Sequence, residues 1–180
     1  MNACWMDLLN SDRHDYLGQD KRVDSLDDPE WLDGFLRRAG LEVAAPERAR
    51  LVPALRRLRA RLRDKADAIA QGKPVTAVHL EDLNDYLADA PLVRRLETHQ
   101  RKARLRLEPV RKTVASVLAE IVSSFAETLA AGEVGRIKLC GNEACRWVFR
   151  DTSKSGTRKW CGPTCGNLMK VRRFRRRARA

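Results

Sequence analysis

Four cysteines fall within a short stretch near the C-terminal end of the chain. They are Cys140, Cys145, Cys161 and Cys165, in the pattern Cys-x4-Cys-x15-Cys-x3-Cys. Thiolates are soft ligands, and two close pairs joined by a short insert let the chain fold back once and bring four sulfurs around one ion. That chemistry is tetrahedral Zn2+, one per chain. Four protein sulfurs fill the tetrahedron and leave no position for water or substrate, so the site is structural rather than hydrolytic. Disulfides are the other use of four thiols. The N-terminus carries Asp7, Asp12 and Asp15 where a secretory signal would have a basic stretch and an apolar run. A reducing cytoplasmic location is therefore expected, which favours metal. Cys4 stands apart as a small apolar filler, and His14, His79 and His99 share no ligand spacing.

The second chemistry is cationic. The 180 residues carry a formal net charge of +12, and all of it sits at one end. From Arg136 onward there are 14 basic residues against Glu143 and Asp151, while residues 1–135 balance 22 against 22. The tail Lys170-Val171-Arg172-Arg173-Phe174-Arg175-Arg176-Arg177-Ala178-Arg179 begins five residues after the last cysteine. Guanidinium forks suit phosphate oxygens. Arg158, Lys159, Lys170, Arg172, Arg173, Arg175, Arg176 and Arg177 are accordingly the candidate nucleic-acid contacts. The run from Arg56 to Arg63 is read differently, as the solvated face of a helix whose charge acids elsewhere offset.

These residues need elements to position them. Arg146–Arg150 reads as a strand, 151–156 as a turn, and 157–160 as the returning strand. A helix opens at Gly162 or Pro163, with Cys165 in its first turn, where peptide dipoles favour a thiolate. Trp147, Phe149 and Trp160 are expected to cover the metal. Leu168, Val171, Phe174 and Ala178, at helical spacing, are expected to dock on the finger. This layout is a treble-clef-like zinc finger with a basic helix. Upstream, the pattern predicts short helices over 3–11 and 28–40, a long one from Pro46 to about Gln71, one over 79–89, and an amphipathic one from Pro109 to Ala131. Residues 12–27 read as an acidic loop. Polar–apolar alternation in Lys102–Glu108 predicts a strand paired with Val93–Thr98. The fold class is therefore mainly α with a small β-hairpin, a helical domain over 1–135 and the finger over 136–180.

The finger residues resemble the CGNR zinc-finger family. Cys140, Cys145, Trp147, Phe149, Asp151, Ser153, Arg158, Trp160, Cys161, Cys165, Gly166, Asn167 and Lys170 stand where that family has its pattern. One departure is Leu168, which replaces the Arg that gives the family its name. The N-terminal part is similar to the ABATE domain that usually precedes this finger. Asp7-Leu8-Leu9-Asn10-Ser11 resembles its Asp-Phe-x-Asn-Thr opening, and Trp31 with Ala39-Gly40-Leu41 resembles its next segment. The motif stands so near Met1 that part of the family's usual opening is expected to be lacking. The resemblance implies a stress-induced transcription regulator whose N-terminal domain senses a signal.

Three readings follow. The leading one is a zinc-finger DNA-binding regulator, cytoplasmic and nucleoid-associated. In it the body binds an unknown small-molecule effector, with Asp7, Asn10 and Ser11 as a candidate pocket, or forms a homodimer. The second is an RNA-binding accessory protein, which exposed Trp147 or Trp160 would favour. The third is a protein-interaction module with a purely structural zinc. No membrane partner is expected, since no apolar run approaches the length of a span. No zinc-hydrolase spacing, phosphate loop or nucleotide fingerprint is visible, so an enzyme is not expected.

Overall fold

The structure, a computed structural model, describes residues 3–19, 21–100 and 102–178. Arg179 of the basic tail lies outside them, as does the side chain of His99. The element order is α1 (Cys4–Leu9), β1 (Asp12–His14), β2 (Arg22–Asp24), α2 (Pro29–Ala39), α3 (Arg48–Ala70), α4 (Ala77–Ala88), β3 (Leu92–His99), β4 (Lys102–Pro109), α5 (Val114–Ala130), β5 (Ile137–Leu139), β6 (Val148–Arg150) and α6 (Pro163–Arg177). Among the described residues each strand pairs antiparallel with its neighbour in sequence, giving three separate two-stranded ribbons. The protein is mainly α, as its periodicities imply.

Local chemistry sets the helix ends. Asp28 accepts from the N–H groups of Glu30 and Trp31 ahead of Pro29, and Gly40 closes α2 in the left-handed region. Thr76 and His79 form a reciprocal capping box at the start of α4. Thr113 and Ser116 do the same for α5. That box corrects the expected start of α5. The helix begins at Val114, because Pro109 ends β4 and Thr113 is the first residue able to cap. Likewise Pro46 opens a 3-10 turn, and α3 proper starts at Arg48.

The helices bury one continuous core. From α3 come Leu51, Leu55, Leu58, Leu62, Ala66 and Ile69, and from α5 Val117, Ile121, Val122 and Phe125. Trp5 is fully buried; its indole meets the Phe125 ring edge-on at 4.8 Å, and its N–H donates to Thr128 Oγ1 at 3.1 Å. Each such apolar side chain contributes about 1.5–3 kcal/mol. The core does not stop where the body ends. Ile137 and Val148, on the finger's ribbon, are 2% and 1% exposed and belong to it.

Residues 12–27 are not a loop. β1 and β2 pair Asp12 with Asp24 and His14 with Arg22, and a 3-10 turn follows. This hairpin engages part of the Arg56–Arg63 run: Arg57 and Arg61 are exposed as expected, while Arg59 is buried against it. Asp24 accepts from both Arg59 terminal nitrogens at 2.7 Å, from Arg56 Nε at 3.0 Å and from the Leu26 N–H at 3.1 Å. Arg59 is 8% exposed and also donates to Ser11 Oγ. Arg61 and Lys65 pair with Asp82, and Arg63 with Asp67.

The Arg59 hydrogen bonds hold the Asp24 carboxyl far below the usual carboxylate range. A carboxylate with a depressed folded value contributes stability above its unfolded value, near 3.9, and loses it as pH falls toward the folded value. Acid unfolding is therefore expected to steepen below about pH 4. Asp24→Asn strands the Arg59 charge and is expected to cost about 3 kcal/mol at pH 7. It should also flatten the acid limb. Melting temperature against pH for the two proteins checks both.

Candidate metal centre and nucleic-acid interface

The finger is built on the β5–β6 ribbon, in which Ile137 faces Arg150, Lys138 faces Phe149 and Leu139 faces Val148. This corrects the expected hairpin. The partner of the 148–150 strand lies upstream, and residues 157–160 form no strand. They return instead as an irregular strap, in which Lys159 O accepts from the Gly141 N–H at 2.8 Å. The close approach requires glycine at 141. A Cβ there would lie 2.8 Å from Trp160 Cζ3 and 3.2 Å from the Lys159 carbonyl oxygen.

The loop joining β5 and β6 carries Cys140 and Cys145. It is held by Cys140 N–H to Trp147 O at 2.9 Å and Cys145 N–H to Asn142 O at 2.8 Å. Asp151 shapes the next turn. Its carboxylate accepts from Ser153 Oγ at 2.6 Å, the Ser153 N–H at 2.9 Å and the Arg158 N–H at 2.9 Å. Those donors, the Ser153 hydroxyl first, keep its carboxyl below the ordinary value. Cys161 ends the strap and Cys165 sits in the first turn of α6, as the sequence implies.

The four sulfurs lie within 4.8 Å of one another. Cys145 and Cys161 are 3.7 Å apart, and Cys161 and Cys165 are 3.8 Å apart. A regular tetrahedron with Zn–S bonds of ~2.3 Å has sulfur–sulfur edges of about 3.8 Å. The donor set thus fits zinc in type, number and spacing. Burial pushes the Cys145 thiol up to about 12 and raises that of Cys161, with neighbouring sulfurs adding to both. Four thiolates at this distance need a cation to share. Zn2+ supplies that charge and locks both cysteine pairs into one unit.

Trp160 packs against the cysteines, and Phe149 is buried beneath the Arg158 guanidinium, 4.9 Å from its ring centre. Trp147 differs from expectation: it is 39% exposed and does not cover the metal. The strap and α6 together form an open cleft of about 560 Å³, lined by Lys159, Trp160, Met169, Lys170, Arg172, Arg173 and Arg176. Five cations surround an aromatic and thioether floor, and no acid lines it.

The other candidate contacts are distributed differently. Arg175 and Arg177 are exposed on α6 outside the cleft. Arg158 is committed to the finger itself, donating from Nε to Trp160 O at 2.8 Å and from Nη2 to Cys161 O. Leu168 is half-buried. Of the tail's apolar residues expected to dock, Val171, Phe174 and Ala178 do not. Val171 and Phe174 are 45% and 72% exposed, and every residue from Lys170 to Ala178 is exposed. From Lys170 onward α6 therefore projects from the zinc cluster with exposed side chains, Arg172 reaching back to Leu17 O.

Asp7, Asn10 and Ser11 do not share an opening. Asp7 is exposed, while Asn10 and Ser11 are 8% and 1% exposed. Ser11 Oγ donates to Leu8 O and accepts from Arg59. Asn10 clamps the finger: its Oδ1 accepts from the Val148 N–H and its Nδ2 donates to Val148 O, both at 2.9 Å. The carboxamide thus takes the place of a neighbouring strand on the β6 edge. Asn142 makes a second joint, donating from Nδ2 to Tyr16 O at 2.8 Å and lying 3.8 Å from Cys165 Sγ. A third is Arg172 Nη2 donating to Leu17 O at 2.7 Å. Spacing carries no signal for these joints, because the partners are 126 to 155 residues apart. Asn10→Ala leaves both Val148 backbone groups buried without partners and is expected to cost about 2–4 kcal/mol. Faster hydrogen exchange at the Val148 amide, with zinc retained, would register it.

The fold and site define a helical body fused to a four-thiolate finger that carries an exposed basic helix. The chain belongs to the ABATE family, described as "Putative stress-induced transcription regulator", whose profile matches residues 2–132. The CGNR zinc finger profile matches residues 136–178. No curated protein matches the chain. The finger holds one structural zinc per chain. No helix among the described residues is long and apolar enough to cross a membrane.

Proposed function

We propose that the protein is a DNA-binding transcription regulator in which the finger and α6 contact duplex phosphates. The observation that carries this reading is the cleft of Lys159, Lys170, Arg172, Arg173 and Arg176, free of acids and mounted on the zinc cluster. Metal fixes the root of α6, so its cations are held in a defined array. Phosphate contacts of this kind position a protein and make binding salt-dependent. Four thiolate ligands leave zinc no position for substrate, which supports recognition rather than catalysis. The body acts as the regulatory part, sensing a small-molecule signal or joining two copies. The three joints at Asn10, Asn142 and Arg172 would pass its state to the finger. In this reading the protein works in the cytoplasm, on the nucleoid.

One observation favours RNA as a second reading. Trp147 is a 39% exposed ring next to Arg146 in the chain, and unpaired bases stack on such rings. Crosslinking in cells followed by sequencing of both bound DNA and bound RNA tests the two together. Recovery of duplex DNA sites is the expected result. Recovery of RNA alone, unaffected by tail substitutions but lost on Trp147→Ala, would replace the DNA reading.

A further inference from the structure

The β3–β4 ribbon is long, and the body hardly uses it. Its strands pair over eight residues each, from Leu92 opposite Pro109 to His99 opposite Lys102. Directly opposed residues share a face, so Leu92, Leu96, Leu105 and Leu107 lie together. They are 47%, 70%, 63% and 57% exposed. An isolated two-stranded ribbon is marginal in water, whereas three or more strands with an apolar face are stable. An open edge also presents a row of unpaired N–H and C=O groups.

We propose that the β3 edge is a two-fold interface, pairing antiparallel with β3 of a second copy about Leu96, so that two ribbons become one four-stranded sheet. Two features single out this pairing. The first is hydrogen-bond parity. The Val110 N–H donates to Pro91 O at 3.1 Å, which makes 91 and 110 a hydrogen-bonded pair. Bonded and non-bonded pairs alternate along an antiparallel ladder. Val93, Arg95 and Glu97 therefore turn their backbone groups toward β4, while Leu92, Arg94, Leu96 and Thr98 turn theirs outward. A two-fold axis at Leu96 places outward groups on outward groups. Leu96 exchanges bonds with Leu96 of the second copy, and Arg94 does so with Thr98.

The second feature is charge. Within the single ribbon Arg95 pairs with Glu108 and Glu97 stands opposite Arg104. The same axis adds Glu97 of the second copy beside Arg95, and by symmetry Arg95 beside Glu97, in the closer, non-bonded pairs. A two-fold contact requires this reciprocity, in which residue i meets j and j meets i. The other edge lacks it. About Leu105, the outward-facing residue at the middle of β4, the operation sets Arg104 against Arg106 twice. Sliding toward the ribbon's base brings in Pro109, which has no N–H. On the β3 edge the two leucine faces come side by side on one surface, and each ribbon tip runs back past the base of the other.

Sedimentation velocity of the full-length, zinc-loaded chain at micromolar concentration, without nucleic acid, tests the pairing. The wild type is expected at twice the chain mass of 20.5 kDa. Glu97→Arg sets like charges together at both symmetric positions and is expected to weaken association at least ten-fold. Arg95→Glu with Glu97→Arg restores the complementarity and is expected to restore the dimer. Leu96→Pro removes an outward N–H while sparing the ribbon's own ladder, and should also give monomer. A monomeric wild type, or a dimer indifferent to Glu97→Arg, would overturn the proposal. Nucleic acid takes no part in the measurement, so the outcome is separable from that of the DNA-binding reading.

Discussion

Cys161→Ser is expected to strip the zinc, unfold residues 140–178 and destabilise the body with them. Structural zinc contributes about 10 kcal/mol or more to a small finger at pH 7, since the site does not exist in the unfolded chain. Around the metal the buried cluster is only Cys140, Cys145 and Cys165, with Trp160 and Cys161 packed alongside, so the ion itself holds this part together. The damage should not stop there, because Ile137 and Val148 are packed in the body's core. Losing the order of β5 and β6 exposes both, at about 1.5–3 kcal/mol for each side chain. It also leaves Asn10 without its partner at Val148. The expected result is metal-free protein, a collapsed near-ultraviolet signal from Trp147 and Trp160, and a lower melting temperature for the helical remainder. A strong chelator should reproduce all three in the wild type. Full zinc content in the variant, or a native tryptophan signal after chelation, would refute the assignment. The pH dependence follows the same logic. Zinc binds thiolates, and burial raises the Cys145 and Cys161 thiols, so loading is expected to release protons and zinc affinity to fall as pH is lowered.

The metal centre was legible because its signal is local. Four cysteines at ligand spacing define a tetrahedron whatever surrounds them, and the root of α6 follows from Gly162, Pro163 and Cys165. The helices of the body were legible for a related reason, since a 3.6-residue period reports a buried face directly. Their ends were less so. The start of α5 depends on whether Thr113 or Pro109 terminates the backbone pairing, and that is decided by β4 reaching Pro109. The β5–β6 ribbon was misread because strand pairing is a choice among partners. Val148–Phe149 could pair with either flank, and the Asn10 clamp with the burial of Ile137 selects the upstream one. The tail's apolar residues illustrate a limit of periodicity. Leu168, Val171, Phe174 and Ala178 have helical spacing, yet spacing cannot say whether a surface exists for them to meet. Asn10, Asn142 and Arg172 were beyond reach for the plainest reason. A single polar residue carries no pattern, and each finds its partner more than a hundred residues away.

Deleting residues 170–180 is expected to remove most nucleic-acid binding while leaving the zinc in place. The deletion takes seven basic residues: Lys170, Arg172, Arg173, Arg175, Arg176, Arg177 and Arg179. It keeps Cys165 and the first turns of α6, so the tetrahedron survives and metal content serves as the control for folding. Each phosphate neutralised adds about 0.9 to the salt slope of duplex binding. If the cleft engages about five phosphates, affinity should fall by roughly several hundred-fold between 50 and 200 mM salt. In the deletion only Lys159 remains of the cleft's cations. The slope should shrink toward about 1, and affinity at physiological salt should drop at least a hundred-fold. A gentler substitution separates contact from scaffold. Arg173→Ala with Arg176→Ala removes two exposed side chains that make no polar contact among the described residues, and should lower the slope by about 2 without altering stability. Arg172→Ala should behave differently. Its guanidinium already holds Leu17 O, so its loss removes one of the contacts between the hairpin and the finger, leaving Asn142 on Tyr16 O, as well as removing a cation. If binding strength proves the same with and without residues 170–180, the charge concentrated at this end of the chain serves some other partner. The neutral body would then have to supply the contact, although its buried and half-buried arginines already face aspartates.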